Sequence, residues 1–387
     1  MESKKTNIDL KQYGMVIALI AIFIIFYILS GGKNATPMNI NNLVMQNGYI
    51  VVLAVGMLLC VLTGNVDLGV GSTVALTGAV AAILVIDKGM SVPVAFLAAL
   101  LVGLAVGIFE GTFIAALGIP PFIVTLATML MGRGLTYVAL QAQTKGPLPD
   151  AYTAIGAGYL PTITIQIGAF AFDLICLIIA IAATLLIVLS ELNSIATKKK
   201  YGFAVNPMWQ TIAKLVIIIA IVWFFLYRLA VYKGIPIVLV LMAALIGVYH
   251  FITSKTVAGR QVYALGGNEK AARLSGINTK KVFFWVYTNM GLLCGVAGIV
   301  LSARNASATP KAGDGFEMDA IASCYIGGAA TAGGIGTIIG AVVGAFVMGI
   351  LNNGMSLIGW STDIQKVVKG MVLLGAVTFD LLSKRRK

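Results

Sequence analysis

Apolar residues run along this chain in long blocks separated by short polar stretches, with neither strand-like alternation nor a single apolar helix face. The blocks lie at about 15–30, 43–63, 67–86, 92–117, 121–142, 168–190, 211–228, 235–252, 283–301, 318–331, 335–357 and 364–382. Most reach the roughly 17–25 residues that cross a hydrocarbon core. The block 318–331 is short enough to be re-entrant. In lipid every backbone N–H and C=O needs an internal partner, which a helix supplies within itself. The pattern predicts an all-α fold: a polytopic helical membrane protein of about 10–12 transmembrane segments. The period-2 segments of about ten residues that mark an outer-membrane barrel are absent.

The blocks give one membrane domain over 15–382, between a polar tail 1–14 and a basic tail 383–387. Two further features stand out: an extra helix pair at about 168–228 and a polar loop at 253–282. The first apolar run ends at Ser30-Gly31-Gly32 without a small-x-small cleavage site, and reads as a retained span.

Composition agrees with this reading: 59% of residues are hydrophobic, 11% are charged, and the mean hydropathy is +0.98. The formal charge of +13 invites a nucleic-acid partner, but its placement argues otherwise. With the N-terminus inside, 16 Lys and Arg fall in cytoplasmic segments and eight in outside ones. That is the positive-inside bias, which also puts both termini in the cytoplasm. The four cysteines (Cys60, Cys176, Cys294, Cys324) all lie in apolar blocks without paired spacing, so they read as packing residues. A single histidine, His250, leaves no histidine-based triad or metal cluster. No GxxxxGK[ST] phosphate loop occurs. No catalytic, metal or cofactor site is expected.

Two stretches echo one another. Val102–Ile119 reads VGLAVGIFEGTFIAALGI and Val343–Trp360 reads VGAFVMGILNNGMSLIGW, so Glu110 faces the pair Asn352-Asn353. Upstream of each, an acid opens a small-residue span: Asp67 in VDLGVGSTVALTGA and Asp319 in MDAIASCYIGGAA. Downstream of each comes a span with one buried cation, Arg133 in the first half and Lys369 in the second. On the predicted topology the halves run in opposite directions, the inverted repeat common among transporters. Residues between Lys145 and Val231 have no counterpart in the second half. Intramembrane polar groups are expensive, so Asp67, Ser72, Glu110, Arg133, Asp319, Asn352 and Asn353 are candidates for a translocation path or repeat interface. Pairing of Arg133 with an acid or with carbonyls, and helix–helix hydrogen bonds by the asparagines, are the structural alternatives.

Within the loop 253–282 the stretch GGNEKAARLSGINTKKV is rich in charge. Asn268 can cap a helix, Glu269 suits its first turn, and Gly276 is a natural stop. The spacing predicts about two turns over Glu269–Ser275, with Ala271, Leu274 and Ser275 on one face. A helix so short needs packing to order it, and a groove on a partner protein is one support. A solvated loop whose charges only set topology is the other reading.

GGNEKAARLSGI is similar to the cytoplasmic coupling loop of bacterial ribose/xylose/galactose-type ABC importer permeases. NVDLGVGS (65–72), PPFIVTLATMLMGRG (120–134), ATPKAGDGFEMDAIASCYIGGAATAGGIGT (308–337) and LNNGMSLIG (351–359) resemble that family in the same order. The resemblance covers the chain from about residue 40, and the extra helix pair looks like the longer xylose-type and multiple-sugar permeases. It implies a non-enzymatic transport subunit in the cytoplasmic membrane of a bacterium. Its implied partners are a cytoplasmic ATP-binding subunit, an extracytoplasmic sugar-binding protein, a second copy of the permease and a monosaccharide such as xylose or galactose. Glu269, Ala271, Ala272, Arg273 and Gly276 would form the coupling helix. Two positions depart from the family: Gly69 stands where Ser is more usual, and Glu110 where Asn is common. An ion-gradient-driven secondary transporter is the competing class, with Asp67, Glu110 and Asp319 as its candidate acids.

Overall fold

Helices dominate the computed structural model, which describes residues 10–167, 170–203, 205 and 207–385. The expected tails 1–14 and 383–387 reach into residues outside the described ones. In chain order the elements are α1 (Leu10–Leu29), α2 (Pro37–Leu62), α3 (Val70–Ile86), α4 (Val92–Ala115), α5 (Pro121–Ala139), α6 (Asp150–Ala157), β1 (Thr164–Ile167) and β2 (Phe170–Asp173). They continue with α7 (Leu174–Lys200), α8 (Met208–Ala230), α9 (Ile237–Lys255), α10 (Val257–Gly267), α11 (Glu269–Leu274), α12 (Thr279–Asn305), α13 (Phe316–Ile326), α14 (Ile338–Leu357) and α15 (Thr362–Arg385).

Among the described residues, eight helices are long and apolar enough to cross a membrane: α2, α4, α5, α7, α8, α9, α12 and α14. The apolar part of α1, Ile17–Leu29, and α3 are shorter. α13 has only 11 residues, as its short apolar block implied. The chain is thus a polytopic helical membrane protein, as the block pattern predicts.

The expected span 168–190 needs a correction at its start. Phe170–Asp173 is a strand paired antiparallel with Thr164–Ile167, and the helix begins only at Leu174. Asp173 fixes that boundary, because its carboxylate accepts from Ile163 N (3.0 Å) and caps α7 through Ile175 N (3.3 Å). Hydropathy alone cannot separate apolar strand residues from the apolar helix that follows them.

The chain forms two compact units. The smaller, residues 35–42 and 159–237, holds β1, β2, α7 and α8. Its two long helices pair through Lys214–Glu191 (2.7 Å) and a Trp223 Nε1 hydrogen bond to Thr184 Oγ1 (2.9 Å). Leu185, Leu186, Ile212 and Val216 stay exposed there, as befits helices that meet lipid.

The larger unit carries the other helices. α2, α12 and α14 are mostly buried, whereas α4 and α5 expose much of their apolar surface. α12 packs against α4 through small residues: a Cβ at Gly107 would lie 2.6 Å from Tyr287 O, and one at Gly291 only 2.3 Å from Gly103 O. Helix backbones this close are the reason for glycines at four-residue spacing, 103, 107 and 111, since lipid gives apolar side chains no drive to associate.

Candidate functional site

α3 packs on α4 and α5, and α13 on α14 and α15. Each trio gathers polar side chains from its three helices. In the first, Asp67 precedes α3 and accepts from Gly69 N (2.8 Å), an Asx-type turn that leads into the helix. Asp67 and Glu110 are each 2% exposed, and their carboxyls converge beside Gly69, where a Cβ would lie 2.8 Å from Glu110 Oε1 and 3.3 Å from Asp67 Oδ1. Glu110 also contacts the Thr128 hydroxyl on α5. Ser72 Oγ donates to Gly69 O (2.9 Å) and is seated against Gly132, where a Cβ would lie 2.8 Å from it.

In the second trio Asp319, 1% exposed, receives two donors on Oδ2: Lys369 Nζ at 2.9 Å and Asn352 Nδ2 at 3.3 Å. Asn353 turns elsewhere and donates to Gln46 Oε1 on α2 (3.1 Å). Of the two asparagines, only Asn352 joins the acid.

Two of the three positions match by their distance from a helix end, whereas the acids differ: Asp67 lies three residues before α3 and Asp319 three residues into α13. Glu110 lies six residues before the C-cap Ala116, and Asn352 six before the C-cap Ile358. Thr128 lies seven residues beyond the start of α5 at Pro121, and Lys369 seven beyond the start of α15 at Thr362. The counterpart of Lys369 is therefore Thr128, not Arg133, which corrects the pairing of cations drawn from the linear sequence. Arg133 is five residues further along and serves a different loop. Its Nη1 donates to Pro310 O (2.9 Å) and Ala312 O (2.5 Å). That loop also touches α3, for a Cβ at Gly71 would lie 2.1 Å from Gly313 O. Beside it the exposed Asp314 pairs with Lys366 at 2.7 Å, and the ammonium holds the Asp314 carboxyl below the usual carboxylate range.

The charged stretch of the loop 253–282 forms the short helix α11. Asn268 Oδ1 caps it by accepting from Ala271 N (2.9 Å). At the other end Ile277 N donates to Ala272 O (3.1 Å) and Gly276 N to Arg273 O (3.1 Å), a Schellman stop with Gly276 at φ +86. Ala272, 5% exposed, is the side chain that packs inward, while Leu274 is 89% exposed. The face holding Ala271, Leu274 and Ser275 is turned to solvent. A cleft of about 600 Å³ opens beside α11, lined by Glu269, Arg273, Gly276, Asn278, Asn65 and Pro120 among others.

One element of this region escaped sequence reasoning. Gly266 meets the end of α2 backbone to backbone: its Cβ would lie 1.6 Å from Leu62 O, which itself accepts from Gly334 N (2.9 Å). Gly333 abuts Gly64 N and Gly266 O in the same way. Tyr263 OH adds a hydrogen bond to Gly336 O (2.7 Å). The double glycines 266–267 and 333–334 were the available signal. They join the α10–α11 hairpin to the segment leading into Asp67 and to the loop before α14.

Among the described residues no group of three or more His, Cys, Asp and Glu could hold a metal ion. The arrangement offers one largely buried ion pair, two buried carboxyls and a short capped helix with an exposed outer face.

Residues 39–377 match the family described as branched-chain amino acid transport system / permease component. The xylose transport system permease protein of Haemophilus influenzae is 36% identical over 383 residues, covering 99% of this chain and 99% of that protein. The xylose transport system permease protein of Escherichia coli K12 is 35% identical over 380 residues, with 98% and 94% covered. The ribose import permease protein of the same strain is 36% identical over 366 residues, with 94% and 92% covered. No solved structure matches. Matched by this family over residues 39–377 and by these relatives over nearly its whole length, the chain belongs to this family of transport-system permease components.

Proposed function

We propose that this chain is the transmembrane permease subunit of an ATP-driven importer for a monosaccharide, xylose or a related sugar. The observation that carries the reading is near-complete coverage of xylose and ribose permeases at 35–36% identity. A cytoplasmic ATP-binding subunit docks on the solvent face of α11, where Leu274 offers an apolar contact beside Glu269 and Arg273. A sugar-binding protein delivers substrate from the opposite side, and a second copy of the chain completes the permease. Both termini are cytoplasmic, in line with the 16-to-8 distribution of basic residues.

The energy comes from nucleotide binding by the partner, since a conformational equilibrium shifts only as far as a ligand's differential affinity drives it. Closure of the ATP-binding subunits pushes the hairpin. The glycine contacts of Gly266 with Leu62 and Gly334 pass that movement to the segments on either side. The two trios then rock against one another and expose the path to each face in turn.

Reconstitution tests this reading. Proteoliposomes containing the chain, its ATP-binding subunit and a sugar-binding protein should take up labelled xylose, ribose, galactose, glucose or arabinose only with ATP inside the ATPase compartment. Uptake that needs no ATP and follows an imposed ion gradient would establish the secondary-transporter class instead.

A further inference from the structure

The two trios balance charge differently. Around Asp319 the Lys369 ammonium supplies the positive charge. Around Asp67 and Glu110 nothing does: neither acid forms an ion pair with any described residue. The titratable groups that face them are Cys60 on α2 and Cys294 and Tyr287 on α12, all uncharged. From α5 comes the Thr128 hydroxyl, and from the start of α13 the carboxyl of Glu317 approaches Gly71. The nearest charged groups are therefore Glu317 at Gly71 and, within range of it, the Arg133 guanidinium on α5, which forms no ion pair with Asp67 or Glu110.

Two polar atoms in this pocket lack partners. Glu110 Oε1 accepts no hydrogen bond, and on α12 the hydroxyl of Tyr287, a residue that is 0% exposed, is likewise without a partner. The room beside Glu110 Oε1 exists because residue 69 is glycine: a Cβ there would lie 2.8 Å from Glu110 Oε1 and 3.3 Å from Asp67 Oδ1. An ionised carboxylate accepts and cannot donate, so two carboxyls that converge on one buried space can bond to each other only through a hydrogen held between them. Two bare negative charges buried together are prohibitive without a countercharge.

We infer that Asp67 and Glu110 form a proton-binding site, one proton shared between the two carboxyls in the place that the Lys369 ammonium takes in the other half. Glu110 supplies the second carboxyl and Gly69 the room for it. The site takes up its proton as the chain folds, so stability linked to it is present at lower pH and is lost as pH rises.

The test uses the full chain purified in detergent and asks nothing of transport, so its failure would leave the permease reading untouched. Infrared spectra of the wild type near neutral pH should contain a protonated-carboxyl carbonyl band that shifts in D₂O. The band should vanish in Glu110→Gln and in Asp67→Asn. The unfolding temperature of the wild type should fall as pH rises above about 4, the folded-to-unfolded ratio dropping about tenfold per pH unit while only the folded chain holds the proton, and should level off once that proton leaves. Glu110→Gln should flatten that slope. A wild type without the band would overturn the site, and that measurement decides even if both variants fail to fold. A band that persists in both variants, or an unchanged slope, would also overturn it. Stabilisation by sodium over choline in the absence of the band would assign a metal cation and overturn the proton.

Discussion

The Lys369 ammonium stands 2.9 Å from Asp319 Oδ2, joining α15 to α13 across 50 residues of sequence. Asp319 is almost wholly buried, and the lysine side chain is 20% exposed. A buried pair of this kind adds little net stability, but deleting one partner strands the other at a cost of about 3–5 kcal/mol. Lys369→Met is therefore expected to lower folded yield and unfolding temperature in detergent. The double variant Lys369→Met/Asp319→Asn removes the stranded charge and should recover most of the loss. Equal stability of Lys369→Met and wild type would show that the pair plays no structural part.

Arg133 holds the 309–315 loop against α3 by donating to Pro310 O and Ala312 O. Arg133→Leu removes both bonds, and the buried Pro310 carbonyl left unpaired costs about 1–3 kcal/mol, the half-buried Ala312 carbonyl less. The variant should lose folded yield, measured by size-exclusion chromatography, while the surviving protein keeps its order of preference among sugars. Normal yield with an altered order would make Arg133 a substrate contact.

Where signals are local, the sequence was legible. Asn268, Glu269 and Gly276 predict α11 to within one residue, since cap, first-turn acid and stop act over a single turn. The long apolar blocks predict the spanning helices for the same reason. Partners distant along the chain were not legible. Lys369 reads as a buried cation, but only the start of α15 sets its phase and shows Thr128 as its counterpart. The junction of Gly266, Leu62 and Gly334 was hidden because it is made by backbone, which leaves no mark but the glycines themselves. The inward turn of Ala272, beside the solvent-facing Leu274, depends on how the hairpin lies on its neighbours.

Leu274 separates docking from folding. At 89% exposure it contributes almost nothing to the fold, so Leu274→Ala should change stability by no more than roughly 0.5 kcal/mol. Transport per ATP hydrolysed should nonetheless fall, as it should for Glu269→Lys. Gly276→Val meets open space but forces a β-branched residue to φ +86, which unwinds the stop and tilts α11. All three variants should insert normally and hydrolyse ATP without matching uptake. Wild-type coupling in Leu274→Ala would remove the solvent face of α11 from the docking surface.

Asn352 and Asn353 make opposite predictions for a thiol probe. Asn353 is 4% exposed and bonded to Gln46, whereas Asn352 is half-buried at Asp319, beside the exposed Ser356 one turn on. The native cysteines are all buried, so a Cys-less background should fold with little loss. In that background Asn352→Cys should react with a water-soluble maleimide, and its rate should change when the ATP-binding partner is trapped with nucleotide. Asn353→Cys should stay protected in every state and lower stability, because Gln46 loses its partner. Equal labelling of both positions would mean that the Gln46 contact opens during transport. Protection of both would remove α14 from the path and leave these amides to hold helices together.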